Sequence, residues 1–171
     1  ACLEDTILAL AEHGLRRFLI LIGHGGIRAA ISVLASQLRY EDDLLVAGCT
    51  WFELVREACH RFIPKRRVHA DEIEAAMGLY LAPRIVRKQA LARGAAHEDP
   101  LPFTDPGSGG GFDMPYRWEE LTPNGAYGDA RRATAAMGEA LTVEFLTRAG
   151  QFVESFMTSR PNAGVKRTRS R

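Results

Sequence analysis

Apolar residues recur at helical spacing in Leu3, Ile7, Leu8 and Leu10, and the pattern stops at Gly14. Arg17-Phe18-Leu19-Ile20-Leu21-Ile22 follows as an almost continuous apolar run, the signature of a strand buried on both faces. Beyond Gly23-His24-Gly25-Gly26, the residues Ile27, Ala30, Ile31, Leu34 and Leu38 mark one face of a second helix. Leu44-Leu45-Val46-Ala47-Gly48-Cys49 predicts a second strand, and Thr50-Trp51-Phe52-Glu53 a capping box opening a helix to about Phe62. Asp71 is placed to cap a helix reaching about Leu81, with Pro83 as its stop.

The stretch 94–129 holds most of the remaining glycine and proline and reads as a long surface excursion. After it Asp129 is expected to cap a long helix with Ala133, Met137, Leu141, Phe145, Phe152 and Phe156 at roughly fourfold spacing. Alternating helices and strands predict an α/β fold with a mostly parallel sheet. Two strands fall short of the roughly five or six of an average sheet, and earlier strands would have to pair with an otherwise open edge. The chain opens on Ala1 and has its first methionine at Met77, so an N-terminal portion is expected to be missing.

Composition narrows the class. With 171 residues, 46% hydrophobic and 25% charged, the chain suits one globular domain, here residues 1–159. The net charge of +1 hides an asymmetry: the tail 160–171 carries five Lys/Arg and no acid, leaving 17 basic against 21 acidic residues before it. Such a tail reads as a solvated, disordered end, so neither nucleic acid nor membrane is expected as a partner. Cys2, Cys49 and Cys59 form no CxxC pair, which fits a reducing, cytoplasmic setting. No apolar run approaches the roughly 20 residues of a membrane span.

Two clusters could carry chemistry. His24 lies just past the carboxyl end of the first strand, where open α/β sheets place ligands, with glycines that let the backbone come close. A tight turn that merely contains a histidine, or an anion held at the following helix start, explains the same tetrapeptide. In His69-Ala70-Asp71-Glu72-Ile73-Glu74 the carboxylates could simply oppose the helix dipole. A catalytic reading needs one of them turned inward beside His69, and Glu74, followed by Ala75, Ala76 and Met77, is the better placed. His13, His60 and His97 have charged neighbours and read as surface residues.

In order along the chain, Gly23-His24-Gly25-Gly26, the Trp51 segment, His69 to Glu74, and Leu121-Thr122-Pro123-Asn124-Gly125-Ala126-Tyr127-Gly128-Asp129 resemble the creatininase (creatinine amidohydrolase) family. The resemblance implies a three-layer α/β/α metal enzyme, commonly a homo-oligomer, that hydrolyses cyclic or linear amides of small molecules with divalent zinc, manganese or iron. It implies His24 and Glu74 as metal ligands, Glu74 and His69 as catalytic groups with His69 carrying a proton to the leaving nitrogen, and Gly25, Gly26, Trp51 and Tyr127 in the substrate pocket.

The departures favour a second reading, a non-catalytic binding or assembly subunit. The family's Glu-x-His ligand pattern is absent, isoleucines stand at 22 and 27 in place of asparagines, and Ala75-Ala76 replaces Thr-Ser. Losing polar groups around a metal typically costs about 10- to 100-fold in affinity or activity.

Overall fold

The computed structural model describes residues 2–64, 69–95, 97 and 114–159. Most of the excursion and the whole basic tail 160–171 lie outside the described residues. The chain divides into two compact units, Ala1–Leu54 with Thr147–Arg171 and Val55–Leu146.

The first unit is built on a β-α-β crossover. Helix α1 (Cys2–Glu12) ends at Gly14, whose φ of +92° is a left-handed conformation that glycine adopts without strain. There Leu15 N–H reaches back to the Leu10 carbonyl, satisfying a helix-end acceptor. Strand β1 (Arg17–Ile22), helix α2 (Arg28–Glu41) and strand β2 (Leu45–Thr50) follow. The strands pair in parallel, Arg17 opposite Leu45 through Ile22 opposite Thr50, as a connection through a helix requires. Helix α3 (Trp51–Leu54) closes the segment.

Ile7, Ala11, Leu38 and Leu44 form the buried core here, with Leu8, Phe18, Ile20, Leu34 and Val46 packed on it. Each fully buried Leu or Ile contributes about 1.5–3 kcal/mol. At Gly48 a Cβ would lie 2.9 Å from Ile31 Cγ2, so α2 seats directly on the strand backbone.

Two expectations are corrected in this unit. Strand β1 is buried on one face only, because Phe18, Ile20 and Ile22 face the helices while Leu19 and Leu21 remain 41% and 61% exposed. Ile27 does not join the buried face of α2: it belongs to a 3-10 turn, Gly25–Ile27, ahead of the helix and is exposed.

The second unit holds α4 (Arg56–Phe62), α5 (Glu72–Leu81), α6 (Trp118–Leu121) and the first half of α7 (Ala135–Thr158). The helix expected from Thr50 to Phe62 is therefore two pieces, parted at Val55, whose backbone is not helical (φ −109°, ψ 21°). Gly138 of α7 rests on α5 so closely that a Cβ would meet the Ala76 carbonyl oxygen at 2.1 Å. Ile73, Ala76, Leu79 and Leu141 are buried. The long helix is not capped by Asp129, which instead caps a 3-10 turn, Ala130–Arg132; Thr134 Oγ1 accepts from Met137 N–H at 3.2 Å and starts α7. All three cysteines are free thiols. Among the described residues no helix is long and apolar enough to cross a membrane.

Candidate functional site

The glycine turn lies in the first unit. His24 is extended (φ −137°, ψ 125°) directly after β1, and its carbonyl accepts from Ile27 N–H at 3.4 Å to form the 3-10 turn. Its imidazole folds back over the turn: a Cβ on Gly26 would lie 2.9 Å from His24 Nε2, so a side chain there would displace the ring. A Cβ on Gly25 would lie 3.2 Å from Phe52 Cζ, and Trp51 meets Phe52 edge to face with centroids 5.6 Å apart. These contacts join Gly25, Gly26 and the Trp51 segment around one exposed histidine. No described residue hydrogen-bonds the His24 imidazole.

The second cluster lies in the other unit. Asp71 is fully buried and its Oδ1 accepts from Ile73 N–H and Glu74 N–H, both at 3.0 Å, satisfying two donors of the first turn of α5. Glu74 Oε2 accepts from Ala70 N–H, which steadies Ala70 at its positive φ of 44°. Asp71 and Glu74 thus cap the helix, as the bland reading of the acidic cluster requires.

The inward carboxylate is Glu72 rather than Glu74. It is only 4% exposed, lies 3.6 Å from the Arg132 guanidinium, and its Oε2 would be 2.4 Å from a Cβ on Gly128. A helical period of 3.6 leaves positions 72 and 74 on different faces, and the Gly128 backbone covers Glu72.

His69 is half-buried, and its ring stacks on Trp118 with centroids 3.7 Å apart and planes 18° from parallel. Trp118 in turn meets Tyr127 edge to face at 5.8 Å, and Tyr127 N–H donates to the His69 carbonyl at 3.0 Å. Aromatic pairs of this kind contribute about 0.5–1.5 kcal/mol beyond buried area. The loop carrying Tyr127 is held by Thr122 Oγ1, which reaches Asn124 Oδ1 at 3.1 Å and the Ala126 carbonyl at 3.0 Å, and by Asn124 Nδ2 on the Arg93 carbonyl. Gly125 takes the left-handed φ of +78° within it.

The second unit therefore brings His69, Glu74 and Tyr127 into one cluster, and the first brings His24, Gly25, Gly26 and Trp51 into another. Trp118 was missed by the sequence reading, which also favoured Glu74 over Glu72 as the inward carboxylate. Trp118 lies in a four-residue helix within the excursion, without a periodic pattern to mark it. His13, His60 and His97 are exposed, as expected. Among the described residues no three His, Cys, Asp or Glu side chains gather into a group that could hold a metal ion.

A family model for creatininase, described as creatinine amidohydrolase, matches residues 1–153. No curated protein matches the chain. A solved structure from Bacteroides fragilis NCTC 9343, assigned as a creatinine amidohydrolase, aligns with a TM-score of 0.74 at 23% identity over 93% of this chain and 61% of its own. A creatinine amidohydrolase (creatininase) aligns at 0.66 with 22% identity over 91% and 62%. A structure described as creatininase Mn aligns at 0.65 with 23% identity over 90% and 62%. The chain thus spans about three-fifths of the length of these structures, and the likeness extends to the fold.

Proposed function

The chain belongs to the creatininase (creatinine amidohydrolase) family, and from that premise we propose that it serves a metal-dependent amidohydrolase acting on the C–N bond of a small cyclic or linear amide. The observation that carries the reading is that the matched stretch, residues 1–153, contains both the His24 turn and the His69 to Glu74 segment.

The donor chemistry suits a divalent ion. Imidazole and carboxylate are accepted by zinc, manganese and iron alike. The His24 ring is uncommitted among the described residues, and Glu74 uses Oε2 on Ala70 and keeps Oε1. A catalytic ion usually takes three protein ligands, so a catalytic centre would need ligands besides these two. When bound, the ion polarises the amide carbonyl and lowers the pKa of water to about 7.

The chain's own residues do the rest. His24 and Glu74 each present one donor atom. His69 carries a proton at a ring nitrogen to the leaving amide nitrogen, as an imidazole general acid does. Gly25 and Gly26 admit Phe52 and the His24 ring against the backbone, and Trp51 and Tyr127 are each, within its own unit, a proposed substrate contact. A homo-oligomer and a cytoplasmic setting accompany this reading.

A titration of the protein as the cell makes it with Zn²⁺ and Mn²⁺ tests the proposal. Micromolar binding that weakens at least about tenfold in His24→Ala and Glu74→Gln is expected; absence of binding at that level overturns it. The alternative, a non-catalytic creatininase-like binding or assembly subunit, draws on Ile22, which is buried at 2% and serves the core where the family carries a polar residue. It predicts no metal binding and an unchanged fold on His24→Ala.

A further inference from the structure

A histidine that carries a proton must aim a ring edge, and its χ2 torsion is broad and roughly two-fold. Enzymes commonly settle that orientation by hydrogen-bonding the second ring nitrogen to a carboxylate or backbone carbonyl. No described residue hydrogen-bonds the His69 imidazole. What meets the ring is a plane: the Trp118 indole, 3.7 Å away and 18° from parallel.

We propose that Trp118 is a positioning residue for His69, its indole face fixing the tilt of the imidazole while leaving both ring nitrogens reachable at the edge. The inference rests on the reading of His69 as the proton carrier.

The geometry of a stack suits this role. Contact with one face blocks rotation of the imidazole out of its plane but does not occupy the in-plane positions where protons arrive and leave. A hydrogen-bonding orienter occupies one nitrogen, whereas an indole face occupies neither.

The segment bearing Trp118 is fixed at both ends of its helix and at the ring. Its helix begins with Arg117 N–H on Glu120 Oε2 at 2.8 Å and ends with Thr122 N–H on the Trp118 carbonyl at 2.9 Å. Its ring meets the Tyr127 ring at 62°. Tyr127 N–H then closes the circuit on the His69 carbonyl. Histidine backbone, tyrosine, tryptophan and histidine ring form a closed loop of contacts from three separate chain segments, so a shift in one segment is resisted by the other two.

The test is NMR of the full chain with labelled histidine and tryptophan. In the unaltered protein, nuclear Overhauser contacts between the His69 and Trp118 ring protons are expected, and their absence alone overturns the proposal. In Trp118→Leu the His69 ring protons should lose their upfield ring-current displacement and move to the positions of exposed histidines. In Trp118→Phe, which keeps an aromatic face, most of that displacement should remain. A His69 signal unmoved by Trp118→Leu overturns the proposal.

Hydrolysis of creatinine as a probe amide adds a functional readout. Trp118→Leu should lower kcat about tenfold or more, as misplacement of a reacting group does, with KM little changed and recovery in Trp118→Phe. A protein that shows the ring contacts but hydrolyses no amide counts against the hydrolase reading and leaves the positioning geometry standing; a hydrolase whose kcat ignores Trp118→Leu overturns the positioning role.

Discussion

The two histidine clusters are held in opposite ways. At the glycine turn, His24 stands exposed over Gly26 with no hydrogen bond to its imidazole among the described residues, and Gly23 has no atom within 4 Å of where a Cβ would be. At the start of α5 each carboxylate has a partner: Asp71 two amides, Glu74 the Ala70 amide, Glu72 the Arg132 guanidinium, with the Gly128 backbone close to both Asp71 and Glu72. One region presents a donor to whatever arrives, and the other fixes its groups before anything arrives. Rigid preorganisation suits groups that act in a transition state, whereas an uncommitted imidazole suits first capture of a ligand.

That contrast is broken most strongly by a single methyl group. Gly128→Ala would place a Cβ 2.4 Å from Glu72 Oε2 and 2.5 Å from Asp71 Cβ. It is expected to destabilise the protein by about 2–3 kcal/mol, the upper part of the usual range of about 1–3 kcal/mol for overpacking, while Gly23→Ala should stay within about 0.5 kcal/mol. Urea titrations of both variants compare the regions directly, and equal effects would mean the second cluster is not the tighter one.

Asp71→Ala comes next. It removes the acceptor of two first-turn amides and should cost about 1–2 kcal/mol, with Asp71→Asn retaining most of the stability. A melting temperature unchanged by Asp71→Ala would show that the cap is dispensable.

Arg132→Met takes the counter-ion from a buried carboxylate. Because the Arg132 side chain is 63% exposed, the expected loss is about 1 kcal/mol, well below that for a fully buried pair. Glu72→Gln in the same background should restore part of it.

The smallest effect concerns Asp129. The side-chain hydrogen bonds from Arg131, both 2.7 Å, hold its carboxyl below the usual carboxylate range. A pKa lowered by folding stabilises the protein above the ordinary carboxylate pKa, and this contribution is lost as pH falls through the lowered value. In Arg131→Leu the Asp129 carboxyl should titrate back at its ordinary pH by NMR, and the acid-side change in stability should diminish. An unchanged titration would assign the lowering to another group.

Much of this was legible from residue order because the signals were local. Helical spacing, Gly14 and the Asp71 cap each act over a few residues, and the apolar run at 17–22 named its strand. The faces of that strand were not legible, because exposure of Leu19 and Leu21 depends on what packs from elsewhere in the chain. Glu72 and Glu74 illustrate the same limit: their apolar neighbours favoured Glu74 as the inward group, while the close approach of Gly128 decides for Glu72. Trp118 carried no periodic signal, since its partner His69 lies far back in the sequence. Asp129 was read as the cap of the long helix because a one-turn 3-10 segment and a helix start with the same chemistry.

Helix α7 gives its first half to one unit and its second half to the other. In the order of synthesis this separates the two. Val55–Leu146 leaves the ribosome as one continuous stretch and can assemble as it emerges. The other unit is discontinuous: the Arg17 guanidinium finds the Phe156 carbonyl 139 positions later, and the Ser159 carbonyl later still. The strand that leads into the glycine turn thus waits for chain made well over a hundred residues after it.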